Sequence, residues 1–198
     1  MKHLAYAVIF LLALLAVASP AVAQDARSLP APSADKAQIV FIKPMGGPWG
    51  SFDTGIFELK DGDRAVLGVL DGSSKLAVEV SPGEHRFMAF TGFVAHFLDA
   101  KFDAGKRYYV MARFIYGAGF QLRPIRRTGP SDFNATAPDF AHWLSDTKIS
   151  VADAKRAAWF ESKKKRIDKA QANAQKLWDG KTPEQRLELT LSPDDSLE

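Results

Sequence analysis

Residues 37–127 consist of short hydrophobic runs separated by turn residues. Within each run apolar and polar positions tend to alternate, and the runs are rich in β-branched and aromatic side chains, which is typical of strands. Asp61-Gly62, Asp71-Gly72 and Pro82-Gly83 mark turns between them. The pattern therefore predicts a mainly β domain, an antiparallel β-sandwich, with strands near residues 38–43, 55–59, 64–70, 75–80, 85–91, 97–102, 106–115 and 120–125.

After Ser150 the apolar residues no longer recur at every second position but at intervals of about 3.6 residues. Ser150 with Asp153 resembles a helix start, and Gly180 is a common helix stop. The pattern predicts one long amphipathic helix over residues 150–180, with Trp159, Ile167 and Leu177 as buried anchors. The residues assigned to its apolar face are Ala152, Trp159, Ile167, Ala170, Ala174 and Leu177, with Phe160 and Trp178 beside that face.

The remaining segments lack a clear period. Residues 24–36 are rich in Pro, Ala and Ser, which predicts a linker. Residues 128–149 predict an irregular connection with a short helical turn near Phe140 and Trp143. Residues 181–198 form a tail with an acidic end that is expected to fray, and its segment 186–191 fits either a strand or a helix.

The first 23 residues have the composition of an export signal. Lys2 precedes an apolar run over residues 4–18, Pro20 breaks the run, and Ala21-Val22-Ala23 supplies the small residues of a cleavage site. This pattern predicts an exported, periplasmic protein that is soluble after cleavage. An uncleaved N-terminal anchor is the alternative interpretation.

Composition excludes several classes of function. The sequence has no Cys, which excludes thiol catalysis, cysteine zinc sites and a lipid-modified cysteine. A formal net charge of +3 in 198 residues does not indicate a nucleic-acid-binding protein.

Catalytic and metal-binding motifs are also missing. There is no Gly-x-Ser-x-Gly sequence and no closely spaced His pair. His85 and His96 lie near the ends of neighbouring predicted strands, where a metal site competes with an ordinary surface or turn role. The sequence therefore predicts no catalytic, cofactor-binding or metal-binding residue.

Two features are candidates for contact with a partner. Trp49 lies in the Gly-rich stretch of residues 46–50, where it can form a stacking surface or fold back as a lid on the sandwich. Residues 150–180 carry eight Lys or Arg against four acidic residues. This basic helix either contacts anionic lipid or an acidic envelope polymer, or is a solvated face. The candidate contact residues are Trp49, Lys163, Lys164, Lys165 and Arg166.

Two further segments show a resemblance. Residues 80–87 (VSPGEHRF), followed by residues 104–110 (AGKRYYV), resemble a family of exported bacterial domains of unknown function, similar to transthyretin-like and PEGA-like modules. The resemblance implies an immunoglobulin-like or transthyretin-like sandwich and no catalytic residues.

These observations lead to one main functional hypothesis. The chain is expected to be a non-enzymatic exported binding or interaction module, whose partner is an envelope protein or polymer, with peripheral contact to an anionic membrane surface. The alternative is an envelope-associated, hydrolase-like enzyme with an unrecognised site.

Cleavage of the signal is directly testable. Because small residues precede Gln24, export is expected to leave Gln24 as the first residue of the mature protein. Mass spectrometry of the exported protein measures this terminus. A protein that retains residues 4–18 and pellets with membranes would show that the segment is an anchor.

Overall fold

The computed structural model describes residues 29–44, 52–116, 119–129, 133–150 and 154–197. This part of the chain is mainly β, with a long C-terminal helix, as predicted. Its strands are β1 (Ala37–Lys43), β2 (Thr54–Lys60), β3 (Asp63–Leu70), β4 (Ser74–Val80), β5 (Gly83–Phe90), β6 (Ala95–Phe102), β7 (Arg107–Ile115), β8 (Gly119–Ile125), β9 (Lys148–Ile149) and β10 (Thr190–Leu191).

The strands form two five-stranded mixed sheets. Sheet A has the order β8-β7-β1-β4-β9, and sheet B has the order β10-β6-β5-β2-β3. The prediction of purely antiparallel pairing is wrong, because β1 pairs with β7, β4 with β9, and β6 with β10 in parallel. Hairpin signals identify neighbours in sequence, whereas parallel partners are joined by long connections that leave no local signal.

The two Asp-Gly turns have different roles. Asp61 and Gly62 both adopt positive φ (52° and 85°) and connect β2 to β3 as an antiparallel hairpin. The chain at Asp71-Gly72, with Gly72 at φ 54°, instead leaves β3 in sheet B and enters β4 in sheet A. A turn motif therefore marks a reversal of the chain without showing whether the next strand joins the same sheet.

One hydrophobic cluster draws its side chains from both sheets. Ile39 and Phe41 of β1 contribute to it from sheet A, and Ile56, Phe87 and Leu98 contribute from sheet B. The Phe41 and Phe87 rings meet edge to face, with centroids 5.4 Å apart. This shared cluster holds the two sheets together through burial of apolar surface.

The C-terminal helical segment covers the other face of sheet B. It comprises helices α2 (Ala154–Ser162) and α3 (Lys164–Asp179). A second cluster joins Met88, Phe90 and Phe97 of the sheet to Ile167 and Trp178 of α3. Central strand β5 is therefore buried on both faces, and its residues 87–90 form a continuous buried run instead of alternating.

The prediction of one unbroken helix over residues 150–180 is wrong. The helix is interrupted at Lys163, whose ψ of 5° departs from helical geometry. Ser150 donates a hydrogen bond to the Val69 carbonyl, and residues 151–153, including Asp153, lie outside the described residues. Gly180 ends α3 with ordinary αR backbone angles (φ −77°).

The predicted anchors have three different outcomes. Ile167 is buried, as predicted. The side chain of Trp159 lies outside the described part of the chain. The prediction that Leu177 is buried is wrong, because this residue is 68% exposed. Its neighbour Trp178 is only 3% exposed. At about 100° per residue, a position eleven residues after Ile167 returns to the same face, and one ten residues after it does not.

The outer face of sheet A is covered by the connection (residues 128–149) and by the end of the C-terminal tail. Helix α1 (Phe140–Ser145) packs Phe140, Trp143 and Leu144 against the outer face of this sheet, near Val40 and Met111.

Residues 186–191, for which both a strand and a helix were considered, contain the end of a helix followed by a short strand. Helix α4 (Pro183–Leu187) starts in a capping box at Thr182, and β10 follows. The acidic end is packed, which contradicts the expected fraying, because buried Asp195 accepts a hydrogen bond from Arg126 at 2.5 Å.

Trp178 and Leu177 provide a matched test of the packing. Changing Trp178 to Ala is expected to lower the free energy of unfolding by about 3–5 kcal/mol, because it empties space between α3 and sheet B. Changing Leu177 to Ala is expected to alter it by less than about 0.5 kcal/mol. Chemical denaturation of both variants measures this difference. Equal effects of the two substitutions would show that α3 does not pack as described.

Candidate functional surfaces

Four consecutive basic residues surround the start of α3. Lys163 occupies the N-cap position, and Lys164, Lys165 and Arg166 form the first turn. The last three side chains are exposed, and Lys163 is half-buried. We call residues 163–166 the basic segment. The predicted contact residues other than Trp49 therefore lie together at one end of α3.

The position of the basic segment is electrostatically unfavourable for the helix. Unpaired N–H groups give a helix start a partial positive charge, which stabilises acidic side chains and opposes basic ones. The first turn of α3 contains no acidic residue. The first acid in α3, Asp168, forms an ion pair with Arg64 at 2.9 Å. Positive potential therefore accumulates at this end of the helix.

An exposed aromatic ring adjoins the basic segment. Phe93 lies in the turn between β5 and β6 and is 75% exposed. The Arg166 guanidinium lies over this ring, 5.1 Å from its centroid. The surface thus combines cationic side chains with one large apolar group, and we call Phe93 and the basic segment together the basic–aromatic patch.

A cleft of about 630 Å³ lies beside this patch, between the β2–β3 hairpin and helices α2 and α3. Phe57 and Phe160 contribute to its apolar floor, and Lys164 lies on its lining. Arg64 crosses the cleft and donates hydrogen bonds to Asp168 and to Gln171 (2.7 Å). Within the cleft, Arg64 and Asp168 therefore offset each other's charge.

A second cleft, of about 620 Å³, contains His85. The His85 Nδ1 atom lies 2.6 Å from a Glu58 carboxylate oxygen, and Nε2 lies 2.7 Å from the Ser81 carbonyl oxygen. Because a carbonyl only accepts hydrogen bonds, Nε2 must carry a proton. Both ring nitrogens of His85 are thus within hydrogen-bonding distance of oxygen atoms of the protein itself.

The two candidate metal-binding histidines are not brought together. In the β5–β6 hairpin His85 pairs with Ala100 and His96 pairs with Ala89, at different ends of the strands. Among the described residues, no group of three or more His, Asp or Glu side chains is arranged to hold a metal ion.

Lys43 is a basic group in the interior of the fold. Its side chain is fully buried, and Nζ donates hydrogen bonds to the carbonyls of Phe52 and Leu70. Burial lowers the pKa of Lys43 from 10.5 to about 8, although nearby Asp53 and Asp71 act in the opposite direction. The neighbouring hydroxyl of Ser74, opposite Lys43 in the sheet, is buried without a hydrogen-bond partner in the described structure.

Trp49, the remaining predicted contact residue, lies outside the described residues. Phe93 and Lys43 were not identified from the sequence. Phe93 follows a strand pattern and precedes Val94, so its exposure had no sequence signal. Lys43 ends a strand whose other residues are also buried, and a terminal lysine is ordinarily solvated.

Comparisons with known proteins do not assign the chain to a family. No protein-family model matches it, and no curated protein sequence matches it. In the part of the chain that the structure covers, none of the helices has the length and apolar character needed to cross a membrane.

The lowered pKa of Lys43 predicts a specific pH dependence of stability. Between pH 8 and pH 10 the unfolded chain binds a proton at this lysine that the folded chain has lost, so the free energy of unfolding rises with pH. The K43M variant lacks this contribution. The stability of the wild type relative to K43M is therefore expected to increase by about 1–2 kcal/mol over this interval.

Denaturation of both proteins at a series of pH values measures the effect. Other groups titrate in both proteins, so only the difference between the two curves is informative. Parallel curves would show that Lys43 keeps an ordinary pKa in the folded protein.

Proposed function

We propose that the protein is an exported, non-enzymatic interaction module that contacts an anionic membrane surface through its basic–aromatic patch. The observation that carries this proposal is the placement of Lys163, Lys164, Lys165 and Arg166 at the start of α3. Four cations at this end of a helix oppose its dipole. Basic residues at this position lower the stability of the helix start. An anionic partner that binds them would offset this loss of stability.

Phe93 favours a lipid surface over a soluble acidic polymer. Anionic lipid head groups attract exposed Lys and Arg side chains, each contributing about 1 kcal/mol near the surface. An adjacent exposed aromatic ring gains further from entering the interfacial region. The proximity of Arg166 to Phe93, 5.1 Å, allows both contacts from one surface.

The wider setting of this proposal comes from the sequence. The signal-like residues 1–23 support export to the periplasm, and they lie outside the described residues. The resemblance of residues 80–87 and 104–110 to exported bacterial domains supports an immunoglobulin-like or transthyretin-like sandwich. In this proposal the two sheets act as a rigid scaffold that presents α3.

Charge reversal in the basic segment tests the membrane contact. The variant K163E/K164E/K165E is expected to lower partitioning onto phosphatidylglycerol-containing vesicles by at least about tenfold, because three attractive charges become repulsive. Wild-type binding is expected to weaken with salt and to be weak on pure phosphatidylcholine vesicles. Vesicle co-sedimentation measures all three effects.

A matched control distinguishes the effect of where the lysines lie from the effect of the protein's net charge. The variant K60E/K101E/K106E reverses the charge of three exposed lysines away from α3 and is expected to retain most of the binding. All proteins are prepared with the same N-terminus, so that residues 1–23 contribute equally. Glutamate at a helix start is favourable, so the α3 variant is expected to remain folded.

Either of two results would overturn the proposal. One is equal binding of the wild type and the K163E/K164E/K165E variant at low salt. The other is an equal loss of binding in both triple variants, which would assign binding to overall charge.

A further inference from the structure

Arg113 and Arg123 lie on the same face of the β7–β8 pair. Arg113 pairs with Gln121 and Met111 pairs with Arg123, so the two arginines are diagonal neighbours. Diagonal side chains in an antiparallel pair have Cβ atoms about 7–8 Å apart, within reach of long side chains. This face is the outer face of sheet A, because Met111 belongs to the cluster formed there with α1.

The charge of Arg113 has no protein counterion in the described structure. Its guanidinium lies over the Phe133 ring, 5.1 Å from the centroid. Its Nε atom is buried without a hydrogen-bond partner, and no ion pair of this side chain is found within the described residues. Burial and the nearby Arg123 both lower the pKa of Arg113. Such a desolvated cation is costly unless an anion approaches it.

Arg123 is better satisfied but keeps hydrogen-bonding capacity. Its Nε donates to Gln121 at 2.7 Å, and its Nη1 donates to Glu188 at 3.1 Å. The Glu188 side chain is 66% exposed, so it neutralises the two arginines only weakly. Arg123 has five N–H donors, and these two bonds leave others for a ligand.

We propose that Arg113 and Arg123 bind one phosphate group on the outer face of sheet A. Two guanidinium groups on different strands match a phosphate group, because its oxygens offer more acceptor sites, in more directions, than the two oxygens of a carboxylate. The terminal nitrogens of Arg113 and the remaining donors of Arg123 supply the hydrogen bonds. The Phe133 ring holds the Arg113 guanidinium in place. This site lies on a different sheet from the basic–aromatic patch and does not rest on the proposed membrane contact.

Calorimetric titration with inorganic phosphate and with glycerol 3-phosphate tests the site and its source. The wild type is expected to bind at least one of the two probes. R113M and R123M are each expected to weaken that binding at least about tenfold, because hydrogen bonds to charged groups are among the strongest in proteins. Binding of glycerol 3-phosphate alone would identify a phosphate ester, and binding of both would identify the phosphate group itself.

Arg86 provides the matched control. Its guanidinium also lies over an aromatic ring, 5.0 Å from the centroid of Trp178, but it is paired with Asp99. R86M is therefore expected to bind phosphate like the wild type. Loss of phosphate affinity in R86M, with R113M unaffected, would place the anion elsewhere on the protein and overturn the proposal.

Thermal unfolding gives an independent readout. Methionine keeps an apolar chain over Phe133 and removes an uncompensated cation, so R113M is expected to melt no lower than the wild type in phosphate-free buffer. Added phosphate is expected to raise the melting temperature of the wild type but not of R113M. Absence of binding by the wild type at millimolar phosphate and glycerol 3-phosphate would overturn the proposal.

Discussion

The burial of sheet B on both faces is the constraint on which the rest of the structure depends. One face meets sheet A through contacts such as Phe41 with Phe87. The other face presents Met88, Phe90 and Phe97, which would be an exposed apolar surface without a cover. Ile167 and Trp178 of α3 cover it. The helix is therefore part of the core, and its orientation is fixed by burial.

The same packing determines which helical residues remain at the surface. Once Ile167 and Trp178 face the sheet, Lys164, Lys165 and Arg166 are left in solvent at the first turn. The interruption at Lys163 makes this basic segment a helix start, where positive charge is unfavourable. The docking of α3 also brings Arg166 over Phe93, which comes from a distant turn. The basic–aromatic patch is thus a product of core packing.

Two cationic side chains inside this fold, Lys43 and Arg113, have different surroundings. Lys43 is surrounded by acceptors, namely two backbone carbonyls, with Asp53 and Asp71 nearby. Arg113 instead lies over an aromatic ring, and its burial and the charge of the neighbouring Arg123 both lower its pKa. The first arrangement is satisfied by the protein itself. The second leaves a positive site that a phosphate group would complete, which is why a ligand is proposed there.

The sequence by itself determined the eight main strands and the C-terminal helical segment, because period-two and period-3.6 patterns are local properties of the chain. It also determined that basic residues 163–166 form one cluster. Only the tertiary structure decided the parallel pairing of β1 with β7, the choice of Trp178 over Leu177, and the break at Lys163. These features, like the burial of Lys43 and the exposure of Phe93, depend on contacts between segments distant in sequence, which no local pattern encodes.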